Sequence, residues 1–278
     1  MSINRRYADI AQKLCACAEK DKNIRAVIAI GSLARQQAAA DEFSDLDLII
    51  VTNEVQRWYS GEYPMLLGKV SISFIEPTLG GGKERRCIYE GGRDVDMIIF
   101  TPGQFDKALK GGEAGWVMNR GYKLLYDIDG LSELIPQYVT LGVSPPEMTG
   151  EEFDNLVSDF YFHNIWASKK LRRGELWAAK MCIDAYLKNK LLKIVEQYRL
   201  CMGVADVWHD GRFLDSWAES DVLDELEGCF AHYDTADCER ALLATHRLFA
   251  RLSEAVAKKK GFFYDKEAEK CAQSFIGA

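Results

Sequence analysis

The sequence predicts an α+β fold in two parts: a mixed sheet with helices over residues 1–140, then a C-terminal helical bundle over 148–278. Three observations carry this. Short apolar or alternating runs of strand length, bounded by glycines and polar residues, recur through the first half. From Thr149-Gly150-Glu151-Glu152, a capping-box pattern, the apolar spacing becomes that of helices. Between the two lies Pro145-Pro146, where the texture of the chain changes.

Taken in order, Tyr7, Ile10, Leu14 and Cys17 fall near helical spacing and predict an amphipathic first helix. Ala26 to Ile30 is an apolar run that reads as a buried strand, followed by a Gly31-Ser32 turn and a helix start over Leu33 to Ala40. Asp45 to Thr52 predicts a second strand and Val70 to Ile75, with alternating serines, a third. Arg86 to Glu90 and Asp94 to Thr101 flank Gly91-Gly92, the signal of a hairpin. Gln104 to Leu109 reads as helix and Tyr122 to Tyr126 as a short last strand. In the second half, Phe153, Leu156, Val157, Phe160 and Asn164 share one helical stripe. Trp177 to Gln197 predicts one long helix, and Asp221 to Ala231 and Ala236 to Lys258 add more, with Lys258-Lys259-Lys260 as a solvated helix end.

Composition narrows the function. The chain has 278 residues, 48% apolar and 28% charged, the balance of an ordinary globular protein. A net charge of −7 disfavours a nucleic-acid partner and suits a cationic small molecule. Eight cysteines without a CxxC pair read as free thiols, and the amphipathic N-terminal stretch lacks the apolar segment of a secretory leader; both lead us to expect a cytoplasmic protein. No apolar run approaches membrane-spanning length.

The chemistry concentrates at Gly31-Ser32 and Asp45-Leu46-Asp47. A tight glycine turn after a buried strand leaves amide N–H groups free for phosphate oxygens. On a strand, Asp45 and Asp47 share one face, and two adjacent carboxylates repel unless a cation such as magnesium holds them. A two-metal centre needs a third acid. Asp96, set among Val95, Met97 and Ile98, is costly there without a partner, whereas Asp94 beside the turn reads as solvated. Arg35, just past the glycine turn, either reaches a phosphate or pairs with Asp45.

Gly31-Ser32, the spacing to Asp45-Leu46-Asp47 and the later strand with Asp96 resemble the signature of the polymerase-beta-type nucleotidyltransferase superfamily. Phe160 to Trp166, Lys169-Lys170 and Arg172-Arg173-Gly174-Glu175-Leu176-Trp177-Ala178-Ala179-Lys180 with Asp184 resemble the helical domain of the aminoglycoside 6-adenylyltransferases, the streptomycin adenylyltransferases. The resemblance implies an N-terminal nucleotidyltransferase domain carrying the metal and phosphate site, and a helical domain that clamps nucleotide and acceptor. It implies magnesium-dependent transfer of AMP from ATP to a streptomycin hydroxyl, with release of pyrophosphate. Asp45, Asp47 and Asp96 would then ligate two magnesium ions, with Asp96 alternatively the general base on the acceptor hydroxyl. Gly31 and Ser32 would cradle the terminal phosphates, and Lys180 would be a phosphate clamp. Asp184, Glu175 and Trp166 are candidates for the acceptor.

Other readings of these residues stay open at this stage. Glu76 and Glu90 are alternative bases. Asp184 pairs with Lys180 or Lys188, or receives an ammonium or guanidinium group. Trp166 and Trp177 wall a ring or fill the core, and His163 makes a local hydrogen bond. Gly80-Gly81-Gly82 is a flexible break that departs from the family pattern. The alternatives to drug modification are transfer to another small hydroxyl compound or a protein side chain, or a nucleotide-binding protein of the same fold without catalysis.

Overall fold

The computed structural model describes residues 5–35, 40–78, 81–142, 148–204 and 206–277. The chain divides into two compact units, Met1–Val143 and Ser144–Ala278. The Pro145-Pro146 linker and residues 36–39, half of the helix expected over Leu33 to Ala40, lie outside the described residues.

In the first unit, aliphatic and β-branched runs form six strands: β1 (Ile24–Ala29), β2 (Leu46–Thr52), β3 (Val70–Pro77), β4 (Lys83–Tyr89), β5 (Arg93–Phe100) and β6 (Lys123–Asp127). They lie in one sheet in the order β3-β4-β5-β2-β1-β6. Neighbours are antiparallel except β2 and β5, which run parallel. The Gly91-Gly92 turn joins β4 to β5 as expected, both glycines adopting positive φ.

Period-two alternation divides the strand residues between two cores. Leu46, Leu48 and Ile50 of β2, with Val95, Met97 and Ile99 of β5, join a core that also holds Tyr7, Ile10 and Leu14. Those three belong to helix α1 (Ala8–Lys20) or its entrance. Trp58 of α2 (Val55–Tyr59) and Tyr63 of α3 (Glu62–Leu67) stack in the same core with ring centroids 4.8 Å apart. Ile49 and Val51, with Phe100 and the partly buried Ile98, face the other way. They meet Phe105 of α4 (Pro102–Gly111), Met118 of α5 (Glu113–Met118) and Leu131 of α6 (Leu131–Leu134). Asp47 and Asp96 stand on this second face, each two residues before Ile49 and Ile98.

The second unit is helical. Thr149 caps α7 (Gly150–Arg172): its hydroxyl accepts from the Glu152 amide at 3.2 Å, and Glu152 Oε2 accepts from the Thr149 amide at 2.8 Å. The stripe of Phe153, Leu156, Val157, Phe160 and Asn164 is buried as its spacing predicts. Phe160 stacks on Phe249 of α12 (Thr235–Lys260) with ring centroids 3.5 Å apart. Helices α10 (Leu214–Trp217), α11 (Ser220–Glu227) and α13 (Lys266–Ile276) complete the unit. Lys258, Lys259 and Lys260 form the last turn of α12.

Two expectations need correction. The long helix expected over Trp177 to Gln197 is α8 (Leu176–Met181), a π-helical turn at Cys182–Tyr186, and α9 (Leu187–Cys201). A single widened turn leaves apolar spacing on either side intact, so periodicity does not detect it. The Ile183 carbonyl in that turn accepts a bond from Lys188 Nζ at 2.9 Å. Trp177, read as either a ring wall or core, does not fill the core: it is 69% exposed and meets Tyr233 edge to face. No helix among the described residues is long and apolar enough to cross a membrane.

Candidate active site

The end of β1 builds the first wall. Ile30 stays extended and donates its amide to the Asp47 carbonyl at 3.0 Å, tying the strand end to β2. Gly31 then turns with φ +64°, opening a single 3₁₀ turn, Gly31–Leu33. A side chain at Gly31 would overlap the Asp47 carboxylate, with Cβ 2.8 Å from Cγ. Glycine is therefore required here twice, for its conformation and for the space it leaves. Ser32 Oγ beside it is buried without a hydrogen-bond partner. Arg35 is half-buried at the edge of the described segment.

The parallel pairing of β2 with β5 sets Asp47 directly opposite Asp96. With Asp45, just before β2, these carboxylates form a cluster in which one oxygen from each lies within 4.8 Å of the others. Burial of Asp96, 5% exposed, pushes its carboxyl up to about 8 against the pull of Arg86, and Asp94, Glu84 and Asp47 add to the rise. Burial also raises Asp94, helped by the charge of Asp45. Asp96 Oδ1 is buried and has no hydrogen-bond partner. Three converging carboxylates, one with an orphaned buried oxygen, are the hard oxygen donor set of magnesium or manganese, and the residues present fit such an ion.

Arg86 was not singled out by the sequence, and it sits at the centre of the neighbouring charges. On β4 it stands opposite Asp96, and its Nε lies 2.8 Å from Glu76, 3.2 Å from Glu84 and 3.4 Å from Asp96 Oδ2. Glu84, nearly buried, was also missed. The signal was present: the Gly91-Gly92 turn pairs Tyr89 with Arg93, and counting three residues along each strand from there puts Arg86 beside Asp96. Glu76, an alternative base, is committed to Arg86. Glu90, the other, is exposed, 3.9 Å from Lys69.

In the helical unit, Lys180 bonds the Asp184 carboxylate and the Ala231 carbonyl, the latter at 2.6 Å. Asp184 Oδ1 is buried without a hydrogen bond, 4.0 Å from Lys188 Nζ. Glu175 is held by Lys170 at 2.5 Å and Arg173 at 2.8 Å. Trp166 is half-buried against the helical core, with Lys170 over its ring. Asp215 is exposed, and His163 makes its local bond to Asp159, 2.7 Å from the carboxylate.

The family model for streptomycin adenylyltransferase matches residues 4–278. The chain belongs to the streptomycin adenylyltransferase family. Membership makes this protein a nucleotidyltransferase, with adenylyl transfer to an aminoglycoside as its activity and ATP as the co-substrate the family implies. Among solved structures, the chain is similar to an aminoglycoside 6-adenyltransferase from Bacillus subtilis, at 17% identity and TM-score 0.46 over 97% of this chain and 95% of that one. It is similar to a nucleotidyltransferase-like protein from Exiguobacterium sibiricum, at 12% identity and TM-score 0.38 over 96% and 88%. A spectinomycin adenyltransferase from Enterococcus faecialis, solved with ATP and spectinomycin, matches at 11% identity and TM-score 0.31 over 97% and 99%. No curated protein matches the chain.

Proposed function

We propose that this family member transfers AMP from ATP to a hydroxyl of streptomycin in the cytoplasm, with magnesium, releasing pyrophosphate. The observation that carries the proposal is the meeting of Asp47 and Asp96 on neighbouring strands with Asp45 just before β2, beside the side-chain-free Gly31. Two ions held by these acids would polarise the phosphoryl oxygens and offset charge on the leaving pyrophosphate.

The chain's own groups divide the remaining work. Gly31 and Ser32 accommodate phosphate oxygens, the amides of the turn and the unpartnered Ser32 hydroxyl being the available donors. The acceptor hydroxyl attacks the α-phosphorus, and the bond to the bridging oxygen of the β-phosphate breaks. Asp96 is proposed either to bind an ion or to take the hydroxyl proton. Arg35 and Lys180 are proposed to meet phosphates; for Lys180 this means leaving its present bonds to Asp184 and Ala231. On the acceptor side, Asp184 has a buried oxygen to offer a cation, and Glu175 and Trp166 are proposed beside it. The net charge of −7 favours approach of a polycation.

The test is pyrophosphate release from purified protein with magnesium and ATP, across streptomycin, spectinomycin, kanamycin and buffer alone, beside Asp47→Asn. Release with streptomycin only, lost in the variant, is the expected result. Release with a different drug, or with none, overturns the acceptor assignment.

A further inference from the structure

We propose that Arg86 is a positioning residue of the acidic centre, holding Asp96 by one carboxylate oxygen so that the other stays available to a divalent ion. The inference rests on the metal reading of Asp45, Asp47 and Asp96 given above.

Four facts support it. Hairpin register puts Arg86 directly opposite Asp96, and the next pairing across the sheet puts Asp96 opposite Asp47, so the three form one row across β4, β5 and β2. Arg86 Nε approaches Oδ2 of Asp96 at 3.4 Å, while Oδ1 is buried and unpartnered. The same Nε is also held by Glu76 of β3 at 2.8 Å and by Glu84 of its own strand at 3.2 Å. One cation faces three carboxylates, an excess of anion over what pairing for stability calls for. A rigid planar cation is the group that fixes a carboxylate's rotation. Glu76 and Glu84 orient Arg86, and Arg86 orients Asp96.

Manganese(II) serves as the probe, titrated into the nucleotide-free protein and followed by electron paramagnetic resonance. Wild type is compared with Arg86→Met, Arg86→Lys and Glu76→Gln, each checked for folding by circular dichroism, and kcat and KM for ATP are measured on the same proteins. Arg86→Met is expected to weaken manganese binding roughly 10- to 100-fold, the usual effect of losing a group that orients a metal ligand. The same variant is expected to lower kcat with little change in KM for ATP. Arg86→Lys, which keeps the charge and loses the planar fork, is expected to recover part of the affinity. Glu76→Gln removes one half-exposed partner of Arg86 and is expected to give a smaller loss in a folded protein.

Manganese affinity unchanged in Arg86→Met overturns the proposal. If Arg86→Met does not fold, unchanged affinity in both Arg86→Lys and Glu76→Gln overturns it instead. A wild type that binds no manganese removes the metal reading and this inference with it. A wild type that binds manganese in an Arg86-dependent way yet modifies no drug leaves the inference standing and refutes the acceptor assignment alone.

Discussion

Gly31 and Asp47 compete for the same volume: a methyl group on the first would stand where the second holds its carboxylate, with Cβ 2.8 Å from Cγ. Gly31 also adopts φ +64°, which costs a side-chain-bearing residue roughly 1 kcal/mol. Gly31→Ala is therefore expected to displace Asp47 while leaving the sheet intact. An error of about 1 Å in such a group lowers turnover by a factor on the order of 100. Steady-state pyrophosphate release beside a thermal melt checks this; wild-type turnover in the alanine variant would refute it.

Asp184 offers a buried oxygen that no hydrogen bond uses. If the acceptor's cationic groups meet it, Asp184→Asn raises KM for streptomycin by roughly 10-fold, the scale of one charge-assisted bond, and leaves KM for ATP near its wild-type value. Lys180 and Lys188 lose a counter-charge in the same variant, so a modest fall in melting temperature accompanies the change. An unaltered KM for every aminoglycoside would remove Asp184 from the acceptor site.

Glu196 on α9 gives the helical unit a pH signature. Burial pushes its carboxyl up to about 7, with Asp210 adding to the rise and Lys193 opposing it. Its folded value lies above its unfolded one, so the folded chain binds the extra proton between these values. Stability on this account falls as pH rises from about 4.5 to about 7, and the full penalty is present above that window. Glu196→Gln removes the penalty. The variant is expected to match wild type near the bottom of the window and to exceed it by on the order of 1 kcal/mol above the top, after allowance for partial solvent screening. Melting temperatures of both proteins across the window measure the difference; a gap that does not grow with pH contradicts it.

Phe249 is fully buried and stacked on Phe160. Phe249→Ala leaves a cavity that the surrounding α7 and α12 side chains cannot fill by rotation alone, and is expected to cost about 3–5 kcal/mol. Denaturant unfolding of the variant checks the value, and a loss below about 1 kcal/mol would mean that the helices close the gap.

Much of this was legible because its signals are local. Apolar alternation placed β2 and β5, the double glycine placed their hairpin neighbour, and Thr149 with Glu152 marked the start of α7. Asp96 stood out because a carboxylate among Val95, Met97 and Ile98 demands a partner. Arg86 escaped because its role depends on strand pairing, which no property of β4 by itself reveals. Trp177 escaped for the opposite reason: a large aromatic at helical spacing reads as core, and nothing local marks it as exposed. The pairing of Asp184 with Lys180 was among the readings and is made, yet the π-helical turn that carries Asp184 adds one residue per turn without disturbing the apolar rhythm.

The parallel pairing of β2 with β5 bears on how the protein comes into being. Its antiparallel neighbours in the sheet β3-β4-β5 join through hairpins, which close short loops, whereas β2 must wait for α2, α3, β3 and β4 to be threaded before β5 arrives beside it. Asp47 and Asp96 thus share no neighbourhood until this long-range closure is made. A ribosome-bound fragment ending before β5 carries the glycine turn and two acids but no third, and so lacks the complete ion-binding cluster. The acidic cluster is therefore complete once β5 docks on β2, before β6 pairs with β1 to close the other edge of the sheet.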